Sequence, residues 1–164
     1  LRDVSAGEHL VRQGDRGSHL FYVDQGLLRL YYTTPDGKER NKAFYAEGAM
    51  LGAVSAAIRQ RPASFAIQAL EDCHLVEADF SSLFASAHHH PVTARVLIDL
   101  LAEAFIRTES REAMLLSLNA EDRYQWLVEH ESHLLGRVPQ FQLASYIGID
   151  AVSLSRLKRR LKQK

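Results

Sequence analysis

Through residues 7–77 the apolar positions recur at every second residue: Phe21, Val23, Leu28, Leu30 and Tyr32 alternate with more polar neighbours. The runs are punctuated by Gly14-Asp15, Asp24-Gln25-Gly26 and Pro35-Asp36-Gly37, residue types that set tight turns between antiparallel strands. A second series follows at residues 42–45, 65–70 and 74–76. Many short strands at regular spacing predict a closed barrel or jelly roll, which removes exposed edges. Residues 47–61 break the alternation with a glycine-bearing and then alanine-rich stretch. They read as a loop and a short helix, an interruption at which a ligand is expected.

After Ala78 the period lengthens. Asp79 is placed to cap a short helix over residues 80–87, which His88-His89-His90-Pro91 breaks. Pro91 suits the first turn of the next helix. There Val96/Leu97, Leu100/Leu101, Ala104/Phe105, Thr108 and Leu115 recur every three to four residues to about Leu118. Paired apolar positions make a stripe wide enough for two partners. One is the helix's own barrel; the other, in this reading, is the same helix of a second subunit. A monomer whose helix only covers the barrel is the alternative. Asn119, with Glu121 and Asp122 in the first turn, opens a further helix. Its buried face is drawn from Tyr124, Leu127, Val128, Leu134 and Leu135, and Gly136 stops it.

In residues 140–158 Leu143 and Ile147 share a helix face beside the small Ala144, and Gly148 permits a sharp stop. Asp150 then caps a second helix with Leu154, Leu157 and Leu161 on one side. The other side carries Ser153, Ser155, Arg156, Arg159, Arg160, Lys162 and Lys164. Two short helices joined by a glycine turn, the second basic, predict a helix-turn-helix whose recognition helix enters the major groove of DNA. An amphipathic helix with a solvated basic face has the same pattern. Charge favours the first reading. From Arg137 onward there are seven Lys or Arg against Asp150, a net of +6, whereas the whole chain is neutral, so residues 1–136 carry −6. Such asymmetry suits a segment built to meet phosphate.

Composition removes other classes. With 46% hydrophobic and 24% charged residues over 164 positions, the chain can bury a core as an ordinary soluble domain. No apolar run reaches membrane-spanning length, and LRDVSAGEHL does not resemble a signal peptide. The single Cys73 excludes an internal disulfide framework and an all-cysteine iron–sulfur site, and it points to a reducing, cytoplasmic setting. The chain begins at Leu1 rather than Met, so an N-terminal segment is expected before it. His88, His89 and His90, His74 beside Cys73, and His130 with His133 spaced i, i+3 on one helix face are the metal candidates. Their spacing does not converge three or four ligands, so no metal or other cofactor is expected. No nucleophile elbow, phosphate loop or zinc-protease helix is present, and His9 and His19 do not make the paired histidines of a cupin-type enzyme. An enzyme is not expected.

GEHLVRQGD (residues 7–15), LFYVDQGLLRLY (residues 20–31), ALEDCHLVEAD (residues 69–79) and RVPQFQLASYIGIDAVSLSRLKRRL (residues 137–161) together resemble the Crp/Fnr family of bacterial transcription factors. The resemblance covers nearly the whole chain. It implies an α+β protein: a jelly-roll, cyclic-nucleotide-binding-like effector domain at residues 1–90, a long dimerisation helix at 91–118 and a helix-turn-helix DNA-binding domain at 119–164. The implied function is transcription regulation, binding double-stranded operator DNA as a homodimer, with the transcription machinery as a further partner and no membrane association. Ser153, Ser155 and Arg156 then lie on the recognition helix. Arg156 is the expected base reader, because a guanidinium can take guanine O6 and N7 together. Arg159, Arg160 and Lys162 are expected at phosphates, and Gln140 and Gln142 open the first helix within reach of the backbone. Ala151 and Val152 stand where several members carry polar base readers.

The implied effector site departs from the family pattern. Members that bind cyclic nucleotides carry a glycine with an acidic residue, a short helix, and an arginine followed by a small polar residue. Here Gly52-Ala53 and Ala63-Ser64 occupy those places. Arg61 would enter only by a two-residue shift across Pro62. The expected effector residues are Gly52, Ala53, Arg61 and Ser64, and the expected effector is unknown and not cyclic AMP. A non-catalytic ligand-binding or interaction module with a degenerate helix-turn-helix is the alternative; the chain stops at Lys164 without the β-hairpin wing usual in the family.

Overall fold

The computed structural model describes residues 1–161. They divide into two compact units, Leu1–Ile106 and a second from Arg107 onward, and the division falls inside one long helix.

The first unit has eight strands: β1 (Arg2–Val4), β2 (His9–Val11), β3 (His19–Gln25), β4 (Leu28–Thr33), β5 (Glu39–Tyr45), β6 (Met50–Gly52), β7 (Ala66–Ala69) and β8 (Cys73–Asp79). They form two four-stranded antiparallel sheets, β1-β8-β3-β6 and β2-β7-β4-β5, the strand order of a jelly-roll sandwich. The alternation in the sequence puts Phe21 and Val23 of one sheet and Leu28, Leu30 and Ile67 of the other into a single core, each at most 2% exposed. At about 1.5–3 kcal/mol per fully buried large apolar side chain, this core dominates the unit's stability. Gly26 follows β3 with φ +106°, and a Cβ there would sit 2.5 Å from Cys73 Sγ, so only glycine fits this close approach of the β3–β4 turn to β8.

Two strands escape the sequence pattern. β1 lies before the first alternating run, and β6 lies inside residues 47–61, where a loop and helix were expected. Each has three residues, too few to show a period; pairing with β8 and β3 makes them strands. The helix of that stretch, α1 (Val54–Arg59), ends at Gln60 in the left-handed conformation with φ 51°.

Helix α2 (Phe80–Ala87) is capped by Asp79, whose carboxylate accepts from Ser82 N at 2.7 Å. The Ser18 hydroxyl also donates to Asp79, and with Ser82 it pulls this carboxyl down to about 2. Pro91 opens α3 (Pro91–Ser117). In the first unit Leu97 and Leu100 of α3 pack with Leu20 and Phe80. Ile98, Leu101 and Phe105, on another side of the helix, are 60%, 43% and 65% exposed.

The second unit contains the end of α3, α4 (Ala120–His130), a 3-10 turn (Ser132–Leu134), α5 (Gln140–Tyr146) and α6 (Ala151–Leu161). Asn119 caps α4, its side chain accepting from Glu121 N at 2.9 Å and Asp122 N at 3.1 Å. The expected continuation of α4 to Leu135 does not occur. Glu131 leaves the helical region (φ −130°, ψ 33°) and turns its carboxylate into the unit's interior. Leu134 therefore reaches the core, 0% exposed, from the 3-10 turn. His133 is on that turn and not on the helix of His130, so the two histidines do not form one face. Among the described residues no helix is long and apolar enough to cross a membrane.

Candidate functional site

In the second unit α5 and α6 meet through Leu143, Ala144, Ile147, Leu154 and Leu157, all at most 8% exposed. Between the helices the chain turns at Gly148 (φ +71°), where a Cβ would sit 3.0 Å from Leu115 Cδ2 and 3.1 Å from Arg123 Nη1. Arg123 stitches this corner: it donates to Leu115 O at 2.7 Å, Leu118 O at 2.9 Å and Ile147 O at 3.3 Å. It thereby satisfies carbonyls that the ends of α3 and α5 leave open. Asp150 caps α6, accepting from Ser153 N at 2.8 Å and Ser153 Oγ at 2.7 Å, and these bonds lower its pKa.

With Leu154 and Leu157 inward, α6 presents Ser155, Arg156 and Arg159 to solvent. Ser153 is exposed as well, but its hydroxyl is committed to Asp150. Arg160 pairs with Glu121 of α4 and so ties α6 down. Gln140 is exposed at the start of α5, whereas Gln142 is 7% exposed and belongs to the packed interior. The exposed aromatic beside them is Phe141, 60% exposed. Lys162 and Lys164 lie outside the described residues. Ser155, Arg156 and Arg159 thus share one outer face of α6, Gln140 is exposed at the start of α5, and Ser153, Arg160 and Gln142 are engaged within the unit.

That scaffold includes a polar cluster that sequence reasoning missed. Tyr146, 0% exposed, donates its hydroxyl to Glu131 Oε1 at 3.3 Å. Arg111 lies 4.9 Å over the Tyr146 ring and donates to Tyr146 O at 2.8 Å. Arg107 and His133 approach Glu131 at 3.8 and 3.6 Å. Burial, then the Glu131 charge, pushes the Tyr146 phenol far up. The cluster joins α5 to the turn after α4 and to the end of α3. Its one advance signal is a tyrosine on the apolar face of a short helix.

In the first unit the four expected effector residues are not brought together. Gly52 lies on β6, where a Cβ would meet His19 O at 2.6 Å and Leu20 Cδ2 at 2.8 Å. It borders a cavity of about 270 Å³ between β4–β6, α1 and α3. Ala53 is 7% exposed, and its carbonyl accepts from Ala56 N and Ala57 N, both at 3.0 Å, to start α1. Arg61 is exposed beside Arg16 and Gln60 in a separate open depression. Ser64 is exposed and next to Ala63, which is 4% exposed. Ala53 and Ala63, though nearly buried, together line a depression of about 260 Å³ beside Asp15, Arg16 and His19, the space into which an acid and an arginine at their positions would extend. The 270 Å³ cavity instead contains Lys42, whose Nζ lies 4.9 Å from the Phe65 ring centroid. A lysine on a strand reads from sequence as solvent-facing, so nothing singled it out.

Cys73 is buried, which raises its thiol pKa and leaves little thiolate. His74 pairs with Asp3 at 2.6 Å, and His88, His89 and His90 are exposed. Among the described residues no three His, Cys, Asp or Glu side chains converge as metal ligands would.

Residues 1–90 match the cyclic nucleotide-binding domain family. Along 99% of its length the chain is 27% identical to the transcriptional activator protein FnrA of Stutzerimonas stutzeri, covering 70% of that protein. It is also 32% identical over 103 residues to patatin-like phospholipase domain-containing protein 6 of Pongo abelii, but that match takes in 63% of the chain and spans 8% of the relative's length. The structure of FixK2 from Bradyrhizobium japonicum superposes with a TM-score of 0.85 over 99% of this chain and 83% of that one, at 21% identity, a likeness of fold. The sandwich, the long helix and the helix pair follow one another in this chain in the order that the Crp/Fnr resemblance implies, and the chain belongs to the cyclic nucleotide-binding domain family, among its Crp/Fnr members.

Proposed function

We infer that the chain is the sensing and DNA-binding part of a cytoplasmic transcription regulator that binds operator DNA as a homodimer and is not itself an enzyme. The observation that carries this is the outer face of α6. Arg156 and Arg159 stand exposed on a helix anchored by Leu154 and Leu157 and capped by Asp150, in a segment of net charge +6. Arg156 reads base edges; Arg159, Gln140 and Ser155 meet phosphate or flanking groups. Pairing through the exposed Ile98, Leu101 and Phe105 of α3 supplies the two half-site geometry such helices use. The sandwich binds the controlling effector, and Ala53 and Ala63 argue against cyclic AMP, since its phosphate and ribose lack their charged partners there. The transcription machinery is the partner through which such a regulator acts.

Selection from a randomised duplex pool, followed by anisotropy titration of the recovered sequence, tests the reading. A palindrome with half-sites about 10 bp apart and affinity falling steeply with salt is expected. Failure to bind any duplex at low salt refutes it. The buried Gln142 and the Arg160–Glu121 pair favour a second reading, a non-catalytic ligand-binding or interaction module whose helix pair no longer reads DNA. That same failure, with the fold intact, is its signature.

A further inference from the structure

The first turn of α6 departs from what local helix energetics would choose. A helix dipole favours carboxylates there, as α4 illustrates with Glu121 and Asp122, yet α6 has no acidic residue in that turn. Val152 stands in it instead, 59% exposed. Residues three, four and seven further along a helix lie on the same face, and here they are Ser155, Arg156 and Arg159, all exposed. The outer face of α6 therefore runs from an apolar tip to a cationic body, while Leu154 and Leu157, 1% and 8% exposed, hold the opposite side in the core. The tip is also held in place. Asp150 accepts from Ser153 N at 2.8 Å and from Ser153 Oγ at 2.7 Å, and a helical valine has one strongly preferred side-chain rotamer.

Chemistry selects what such a tip can read. Valine offers neither donor nor acceptor, and the apolar group on the base edges of the major groove is the C5 methyl of thymine. A cytosine facing it would leave an amine without a partner. Four residues of α-helix rise about 6 Å and base pairs stack about 3.4 Å apart, so Val152 reaches about two base pairs from the edge that Arg156 reads. We propose that Val152 is a specificity-determining residue that reads the C5 methyl group of a thymine about two base pairs from the guanine taken by Arg156. The inference rests on the operator-binding reading and names one further letter of the half-site.

Anisotropy titration of the full chain tests this, using a duplex recovered from the randomised pool and copies in which deoxyuridine replaces single thymidines, so that only the methyl group is lost. A thymine within about two base pairs of the half-site guanine is expected. Its replacement in one half-site should weaken binding about fourfold, the factor equivalent to about 0.8 kcal/mol for one buried methyl group, whereas deoxyuridine outside the half-sites should change nothing. Val152→Ala should bind the thymine and uracil duplexes equally, with its thermal unfolding unchanged. A recovered half-site with no thymine in that window overturns the proposal. Equal affinity of the parent for the two duplexes overturns it as well, and so does a fourfold difference that persists in Val152→Ala. Any of these results, obtained with a duplex that binds, leaves the operator reading standing and defeats only the Val152 assignment; no binding to any duplex at low salt defeats both.

Discussion

Glu131→Ala should loosen the helix pair that carries Arg156 without touching it. The Glu131 residue is 8% exposed; its carboxylate accepts the Tyr146 hydroxyl at 3.3 Å and faces Arg107 Nη1 at 3.8 Å. Removing one partner of a fully buried ion pair costs about 3–5 kcal/mol. The Arg107 side chain is 23% exposed and its approach is long, so the lower part of that range is the ceiling here. The tyrosine bond to a charged acceptor is worth about 1.5–3 kcal/mol when well formed, and 3.3 Å places it low. The expected loss is therefore about 2–3 kcal/mol for Glu131→Ala and about 1 kcal/mol for Tyr146→Phe. If the hydroxyl acts through Glu131, Tyr146→Phe should cost less than about 0.5 kcal/mol once Glu131 is gone. Trp126, the chain's one tryptophan, stacks on His130 at 5.1 Å in α4 and reports this unit's unfolding in urea. Two outcomes refute the reasoning: Glu131→Ala within about 0.5 kcal/mol of the parent, or an equal Tyr146→Phe loss in both backgrounds.

Other consequences are separable. Arg156→Ala should weaken selected-site binding by about 1–3 kcal/mol and relax sequence preference, whereas Arg159→Ala should weaken all duplexes alike and reduce the log–log salt slope by about 1; anisotropy titrations at several salt concentrations distinguish them. Phe105→Glu puts a charge on the exposed apolar face of α3, and sedimentation should show monomer in place of dimer with the sandwich still folded. Asp79, held at about 2 from an ordinary value of 3.8, contributes stability that is complete above pH 4 and is lost as pH falls toward 2. Asp79→Asn should flatten that acid limb in urea titrations at stepped pH, and an unchanged limb would show the Ser18 and Ser82 bonds to be immaterial.

Much of this architecture is written in local order. The period-two runs with Gly26 and Gly37 dictate strands and hairpins, the change of period after Ala78 dictates helices, and Asp79, Asn119 and Asp150 cap them as their residue types require. Gly148 and the leucines of α6 likewise determine the helix pair, since a positive φ and a four-residue apolar spacing are properties of neighbours in the chain. Contacts between distant residues are another matter. Strands β1 and β6 exist through their partners, α4 stops at His130 because Glu131 finds Tyr146 inside the unit, and Arg160 is engaged because α6 passes Glu121. Lys42 reads as one more strand residue until packing brings its ammonium to 4.9 Å from the Phe65 ring centroid. Residue type and spacing decide which elements form, because propensity, capping and turns act over a few residues; burial and polar partnership are decided only when the elements pack, and they determine which side chains remain available to a ligand or to DNA.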